Sequence, residues 1–130
     1  MYEYYNPNPF EKRTGDCVIR ALCKALSLSW NEVYILLCME GFIHKDWGNV
    51  NNVWEKYLRS RGFKRYVIPN TCPDCYTIAD FAYEHPHGTY ILATGTHVVT
   101  VQDGVIYDTW YSGSEAPIYY YTKEHDQNGI

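Results

Sequence analysis

The dipeptide Asp103-Gly104 constrains this chain more than any other two residues. It stands between two runs rich in valine, isoleucine and tyrosine, and it tolerates the positive φ angles of a two-residue type I′ turn. With those residues as the loop, Gln102 faces Val105, Val101 faces Ile106, Val99 faces Asp108 and His97 faces Trp110. Alternation then puts His97, Val99 and Val101 on one face with Ile106, Asp108 and Trp110. His97 and Asp108 become diagonal neighbours, about 7–8 Å apart between Cα atoms, and a hydrogen bond between them is feasible. Such a pair has two readings. A partly buried histidine satisfies its N–H with a carboxylate, or an aspartate fixes the tautomer of a histidine that serves a nucleophile.

Upstream of the hairpin the period changes from 2 to 3.6. Residues 17–26, CVIRALCKAL, set Val18, Ala21, Leu22 and Ala25 on one flank of a helix and Ile19, Cys23 and Leu26 on the adjoining one, with Thr14-Gly15-Asp16 as the start signal. A second helix is predicted from Trp30 to about Glu40, opened by the capping box Ser29-Trp-Asn-Glu32 and stopped by Gly41. A third runs from about Val50 to Arg61 and ends at Gly62, with Val53, Trp54, Tyr57 and Leu58 inward. Phe63 to Ile68 reads as a strand, Thr77 to Glu84 as a short helix and His85 to Gly88 as a turn, after which TYILAT, HVVTVQ, VIYDTW and IYYYT read as strands. Asn-Pro-Asn-Pro near the start suits an extended lead-in. Helices early and antiparallel strands late predict one α+β domain over residues 1–130.

Composition narrows the partners. A net charge of −4 offers no basic surface for nucleic acid, and no segment approaches the length of a membrane span. The start MYEYYNPNPFEKR lacks the basic-then-apolar pattern of a secretory signal, so a cytoplasmic location is expected. Five cysteines, an odd number in such a chain, argue for free thiols. Cys23 and Cys38 read as small buried hydrophobes inside helices, whereas Cys17 sits where a loop turns into a helix. There the positive end of the helix dipole, helped by a nearby histidine, favours a thiolate.

Cys17 at a helix start, His97 near a late strand, Asp108 on the next strand and then Thr109-Trp110 occur in the order of the papain-like cysteine peptidase superfamily, including its bacteriocin-processing and NlpC/P60-type branches. GDCVIRALCKAL resembles the nucleophile helix of that superfamily, and DTW resembles its Asn-Ser-Trp element, whose indole shields the third residue's hydrogen bond. The resemblance covers residues 14–110. It implies a nucleophile helix packed on a C-terminal antiparallel sheet and a Cys17–His97–Asp108 triad acting on a protein or peptide substrate without a cofactor. The bond cleaved would be a peptide, isopeptide or other amide. NPNPxxKRTGDCVIRAL, RYVIPNTCPDCYT and HVV-x-VxDGxxYDTW further resemble a small uncharacterised family common in phages and prophages of Gram-positive bacteria, which implies a bacterial host cytoplasm as the setting.

One position departs from the superfamily. Where papain-type enzymes carry an oxyanion-hole glutamine, six residues before the cysteine, this chain has Glu11, whose charge would repel a developing oxyanion. Asn8 or Asn6 would have to supply an amide donor, although both also suit plain turn-making before proline. The departure keeps a second class open, a non-catalytic phage binding protein on the same scaffold that captures a host or phage protein.

Other clusters have plainer readings. Cys72-Pro-Asp-Cys75 with His85 and His87 could supply four zinc ligands, but the spacing is not that of a standard finger, and a proline turn with two incidental thiols is preferred to zinc or to a redox disulfide. His44 and His125 read as solvated. Tyr2, Tyr4, Tyr5 and Tyr119-Tyr-Tyr121 fit either a recognition surface or half-buried strands.

Overall fold

Period-2 segments in the second half of the chain and at its very start pair into a six-stranded sheet in the computed structural model, which describes residues 1–123. The strands are β1 (Tyr2–Tyr4), β2 (Lys64–Val67), β3 (Thr89–Ala93), β4 (Val98–Gln102), β5 (Val105–Asp108) and β6 (Tyr119–Thr122), in spatial order β1-β5-β4-β3-β6-β2. The helices are α1 (Cys17–Leu26), α2 (Trp30–His44), α3 (Asn51–Ser60) and α4 (Ile78–Glu84). The β4–β5 hairpin has the predicted register, with Gln102 opposite Val105 and Val101 opposite Ile106. Its loop residues Asp103 and Gly104 have φ of 50° and 78°, as a type I′ turn requires.

The sheet is mixed rather than antiparallel. β1 runs parallel to β5, Tyr2 beside Ile106 and Tyr4 beside Asp108, so the Asn-Pro lead-in follows a short edge strand. No hairpin signal marks such a pairing, because its partners lie about a hundred residues apart. The sheet separates two cores. On one face Val18, Leu22, Leu37, Trp54 and Leu58 of the first three helices pack against Ile91, Val98 and Tyr121. On the other, Ile78 and Phe81 of α4 pack against Leu92, Val99, Val101 and Ile106.

Helix α1 occupies the predicted residues, but α2 does not stop at Gly41. It continues to His44 and closes with Lys45 in the left-handed region at φ 58°. Gly41 is instead a site of close approach, since a Cβ there would lie 2.5 Å from the Asp46 carbonyl oxygen. The loop after α2 folds back against the helix, which brings Gly48 against Leu37 and the Trp47 backbone beside Gly41. Cys38 is exposed rather than core, because α2 turns an apolar outer face to solvent at Ile35, Met39, Phe42 and Ile43. Tyr119 and Tyr121 are buried, their hydroxyls both donating to the buried Glu55 carboxylate of α3. No single helix among the described residues is long and apolar enough to cross a membrane.

Candidate functional site

The site begins with an N-terminus that is not capped in the usual way. Asp16 holds the N-cap position of α1, where an aspartate side chain normally accepts a backbone N–H of the first turn. Here it makes no such bond. Its Oδ1 accepts from Arg20 Nη1 at 2.7 Å and its Oδ2 from the Trp30 indole N–H at 2.9 Å. The first-turn N–H groups beside Cys17 therefore donate no bond to their N-cap side chain, and the positive end of the helix dipole lies at the residue that carries the thiol.

Cys17 is half-buried on the wall of a cavity that His97 also lines. Burial opposes ionisation of the thiol, but hydrogen bonding from the His97 side chain and the Val98 backbone, with the charges of His97 and Arg20, outweighs it and lowers the cysteine pKa. His97 responds in the opposite sense. Burial disfavours its charge, yet the bonds to Asp108 and Cys17 raise its pKa to about 9. The two shifts are opposite in sense, and each group contributes to the shift of the other.

The backbone presents His97 through a tight turn. Thr94 N–H donates to the His97 carbonyl at 2.8 Å, and Thr94 Oγ1 accepts from the N–H groups of His97 and Thr96 at 2.9 and 3.1 Å. His97 then donates Nε2–H to Asp108 Oδ2 at 2.7 Å, which leaves Nδ1 for the thiol. Asp108 is fully buried at the end of β5 and is held on every side. Ser112 Oγ donates to Oδ2 at 2.7 Å, while Thr109 N–H and Arg20 Nη2 reach Oδ1 at 2.7 and 2.9 Å. Burial would raise its pKa, but the bonds from His97 and Ser112 and the two cations keep it lowered and ionised. Arg20, itself buried, thus bridges Asp16 and Asp108 and ties the start of α1 to the end of β5.

The β4–β5 hairpin and the turn before it therefore bring His97 and Asp108 together as predicted, and Cys17 lies on the cavity that His97 lines. The remaining sequence candidates fare differently. Trp110 lies against the imidazole, ring centroids 4.8 Å apart, and is 40% exposed. Asn6 and Asn8 make turns. Asn6 Oδ1 accepts from Asn8 N–H at 3.2 Å and Asn8 Oδ1 from Phe10 N–H at 2.8 Å, and neither residue lines the cavity.

Cys72 and Cys75 are not free thiols but a disulfide. The turn that Thr71 Oγ1 closes, accepting from Tyr76 N–H and donating to the Asp74 carbonyl, both at 2.8 Å, brings their Cα atoms to 4.1 Å. His85 is stacked on Phe81 at 3.7 Å with Nδ1 on the Phe81 carbonyl, and His87 contributes its carbonyl to Tyr90. Among the described residues no three His, Cys, Asp or Glu side chains group to hold a metal ion. His44 ends α2 on the exposed side of the helix terminus, and His125 lies outside the described residues.

Arg20, Asp16, Trp30 and Ser112 are the participants that the sequence reading missed. A signal existed for one pair. Asp16 and Arg20 are four residues apart, and a lone arginine on an apolar helix face requires a buried anion. Comparison with protein-family models, with curated proteins and with solved structures returns no match.

Proposed function

We propose that this chain is a papain-like thiol hydrolase that cleaves a peptide, isopeptide or related amide bond, in the phage or prophage setting that its short motifs resemble. One observation carries the reading: a helix-start cysteine and a carboxylate-bound histidine share a cavity wall, with the thiol pKa lowered by the histidine and the imidazole pKa raised by Asp108 and then by the thiol. Cys17 Sγ would attack the carbonyl carbon, and the electron pair moved to the carbonyl oxygen would be met by first-turn N–H groups of α1. The C–N bond then breaks as the amine nitrogen takes the proton from His97. Water attacks the resulting thioester, gives a proton back to His97, and releases the carboxylic acid with the thiolate restored. Asp108 would hold the imidazole orientation throughout.

A second reading, capture of a protein without turnover, is favoured by one fact. Asn6, Asn8 and Glu11 do not line the cavity, so neither of the asparagines that the sequence offers in place of the superfamily's oxyanion glutamine faces it. p-Nitrophenyl acetate separates the two. A hydrolase acetylates Cys17, releases p-nitrophenol and turns over, and His97→Ala abolishes the turnover. Stoichiometric release that stops after one equivalent, or equal release from Cys17→Ala, supports capture instead.

A further inference from the structure

Helix α2 is apolar on both sides. Val33, Leu37 and Gly41 are buried, yet the side turned to solvent carries Tyr34, Ile35, Met39, Phe42 and Ile43, each between 48% and 73% exposed, with the exposed thiol of Cys38 among them. A helix that is apolar all round belongs inside a larger core or against a further surface. The neighbouring helices follow the ordinary pattern. Those residues of α3 that reach solvent are Asn51, Asn52, Lys56, Arg59 and Ser60, all polar, and no residue of α1 is exposed. Taking about 200 Å² for a large side chain, roughly 600 Å² of the outer face of α2 is open, and two copies joined through it would remove about 1,200 Å², where stable specific interfaces begin.

Charge is absent from the middle of this face and present at its ends. Between Val33 and Ile43 the one charged residue is the half-buried Glu40, whose carboxylate lies 3.8 Å from His44 Nε2. Glu32 is exposed in the first turn, and the Lys45 ammonium at the C-cap lies 4.0 Å from the centre of the Phe42 ring. Two such helices laid antiparallel about a two-fold axis between Cys38 and Met39 oppose Ile35 with Phe42, Tyr34 with Ile43, and Glu32 with Lys45. Apolar residues then meet apolar ones, and acid meets base at both ends. A parallel pair would set Glu32 beside Glu32 and Lys45 beside Lys45, with the helix dipoles aligned. A lipid surface suits the face less, because interfacial helices carry Lys and Arg along their polar flanks, whereas α2 contains neither and has Glu32, Glu40 and Asp46 about it.

We propose that this face of α2 docks on the same face of a second copy of the chain, as an antiparallel helix pair whose two-fold axis passes between Cys38 and Met39. The contact includes none of Cys17, His97 and Asp108, so it stands apart from the thiol-hydrolase reading.

Sedimentation velocity on the full chain tests it, and the mass should rise from one chain to two between about 1 and 100 μM. Residues beside a two-fold axis lie next to their own mates, so 1,2-bis(maleimido)ethane should join Cys38 of one copy to Cys38 of the other, as read by peptide mapping. Met39→Glu, at an exposed position, should raise the dissociation constant at least about tenfold by bringing two carboxylates together at the axis, with the circular dichroism spectrum unchanged. Lys45→Glu should raise it severalfold, and adding Glu32→Lys should restore it. A single-chain mass at every concentration overturns the proposal, and pelleting of that monomer with lipid vesicles would assign the face to a membrane surface. A dimer that Met39→Glu leaves unchanged, or one without a Cys38–Cys38 link, has its contact elsewhere and overturns it equally. A loss in Lys45→Glu that Glu32→Lys does not restore contradicts the antiparallel order. The cross-link on the unmodified chain decides the matter even where a variant does not fold.

Discussion

Two regions of this molecule carry cysteine and histidine in suggestive combinations, and only one of them assembles. In the segment from Cys72 to His87 the residue types of a metal site are present, but three of the four are consumed within a few residues of themselves, the cysteines by one another and His85 by Phe81 four residues back, and His87 is exposed. In the other region, His97, in the turn before β4, bonds Asp108 at the end of β5, and Cys17 at the start of α1 shares a cavity wall with His97. Local sequence proximity offers short-range partners that satisfy reactive groups. Long-range convergence positions such groups while leaving one face of the site open to a cavity.

The comparison breaks most visibly at Asp108. Its carboxylate is fully buried between Arg20 and His97, so Asp108→Ala should cost about 3–5 kcal/mol, the scale of stranding a buried cation. Asp108→Asn should cost less, because the amide oxygen still accepts from His97 and only the charge facing Arg20 is lost. Denaturant titration of both variants checks the order, and equal losses would mean that the His97 bond contributes little.

The same residue shows how far sequence reaches. The diagonal His97–Asp108 relation followed from two turn residues and the alternation of a pleated strand, and the start of α1 at Cys17 followed from its apolar period, because both are properties of adjacent residues. Arg20 escaped notice because its two anions arrive from different elements, one of them eighty-eight positions away. Gly41 was misread for a related reason: as a helix stop it is a local signal, but here it admits a loop that packs back on its own helix. The exposure of Cys38 and the parallel pairing of β1 with β5 likewise depend on what the fold brings alongside.

The disulfide should matter less. Closing a loop with a sequence separation of 3 stabilises by about 2 kcal/mol on chain-entropy grounds, so Cys72→Ser should lower stability by no more than that and leave Cys17 alkylation unchanged. A shift in the Cys17 rate on reduction of Cys72–Cys75 would show that the two regions are coupled.

Cys17→Ala sharpens the comparison from the other side. A partly buried thiol at the edge of the core contributes a small volume, so the fold should persist with a loss below about 2 kcal/mol by thermal melt. The variant also isolates His97. In the wild type the raised histidine pKa makes the folded state bind more protons than the unfolded state, while the lowered thiol pKa makes it bind fewer, and the two oppose each other as pH rises. Without the thiol only the histidine contribution remains. It is fully present below about 6.5 and lost as pH rises toward an upper limit below the wild type's about 9, since the Cys17 bond no longer helps to raise the pKa. Stability of Cys17→Ala should therefore fall by about 1 kcal/mol or more from pH 6 to 9 relative to wild type, measured by denaturant midpoints.

The central claim is that Cys17 and His97 form a thiolate–imidazolium pair oriented by Asp108, and the alkylation rate of Cys17 across pH 5 to 9, resolved from Cys23 and Cys38 by peptide mapping, tests it directly. The pair predicts a wild-type rate already high at pH 6, with Asp108→Ala shifted to higher pH and Asp108→Asn between the two. Three superimposable profiles rising only near the ordinary thiol pKa of about 8.5 would contradict it.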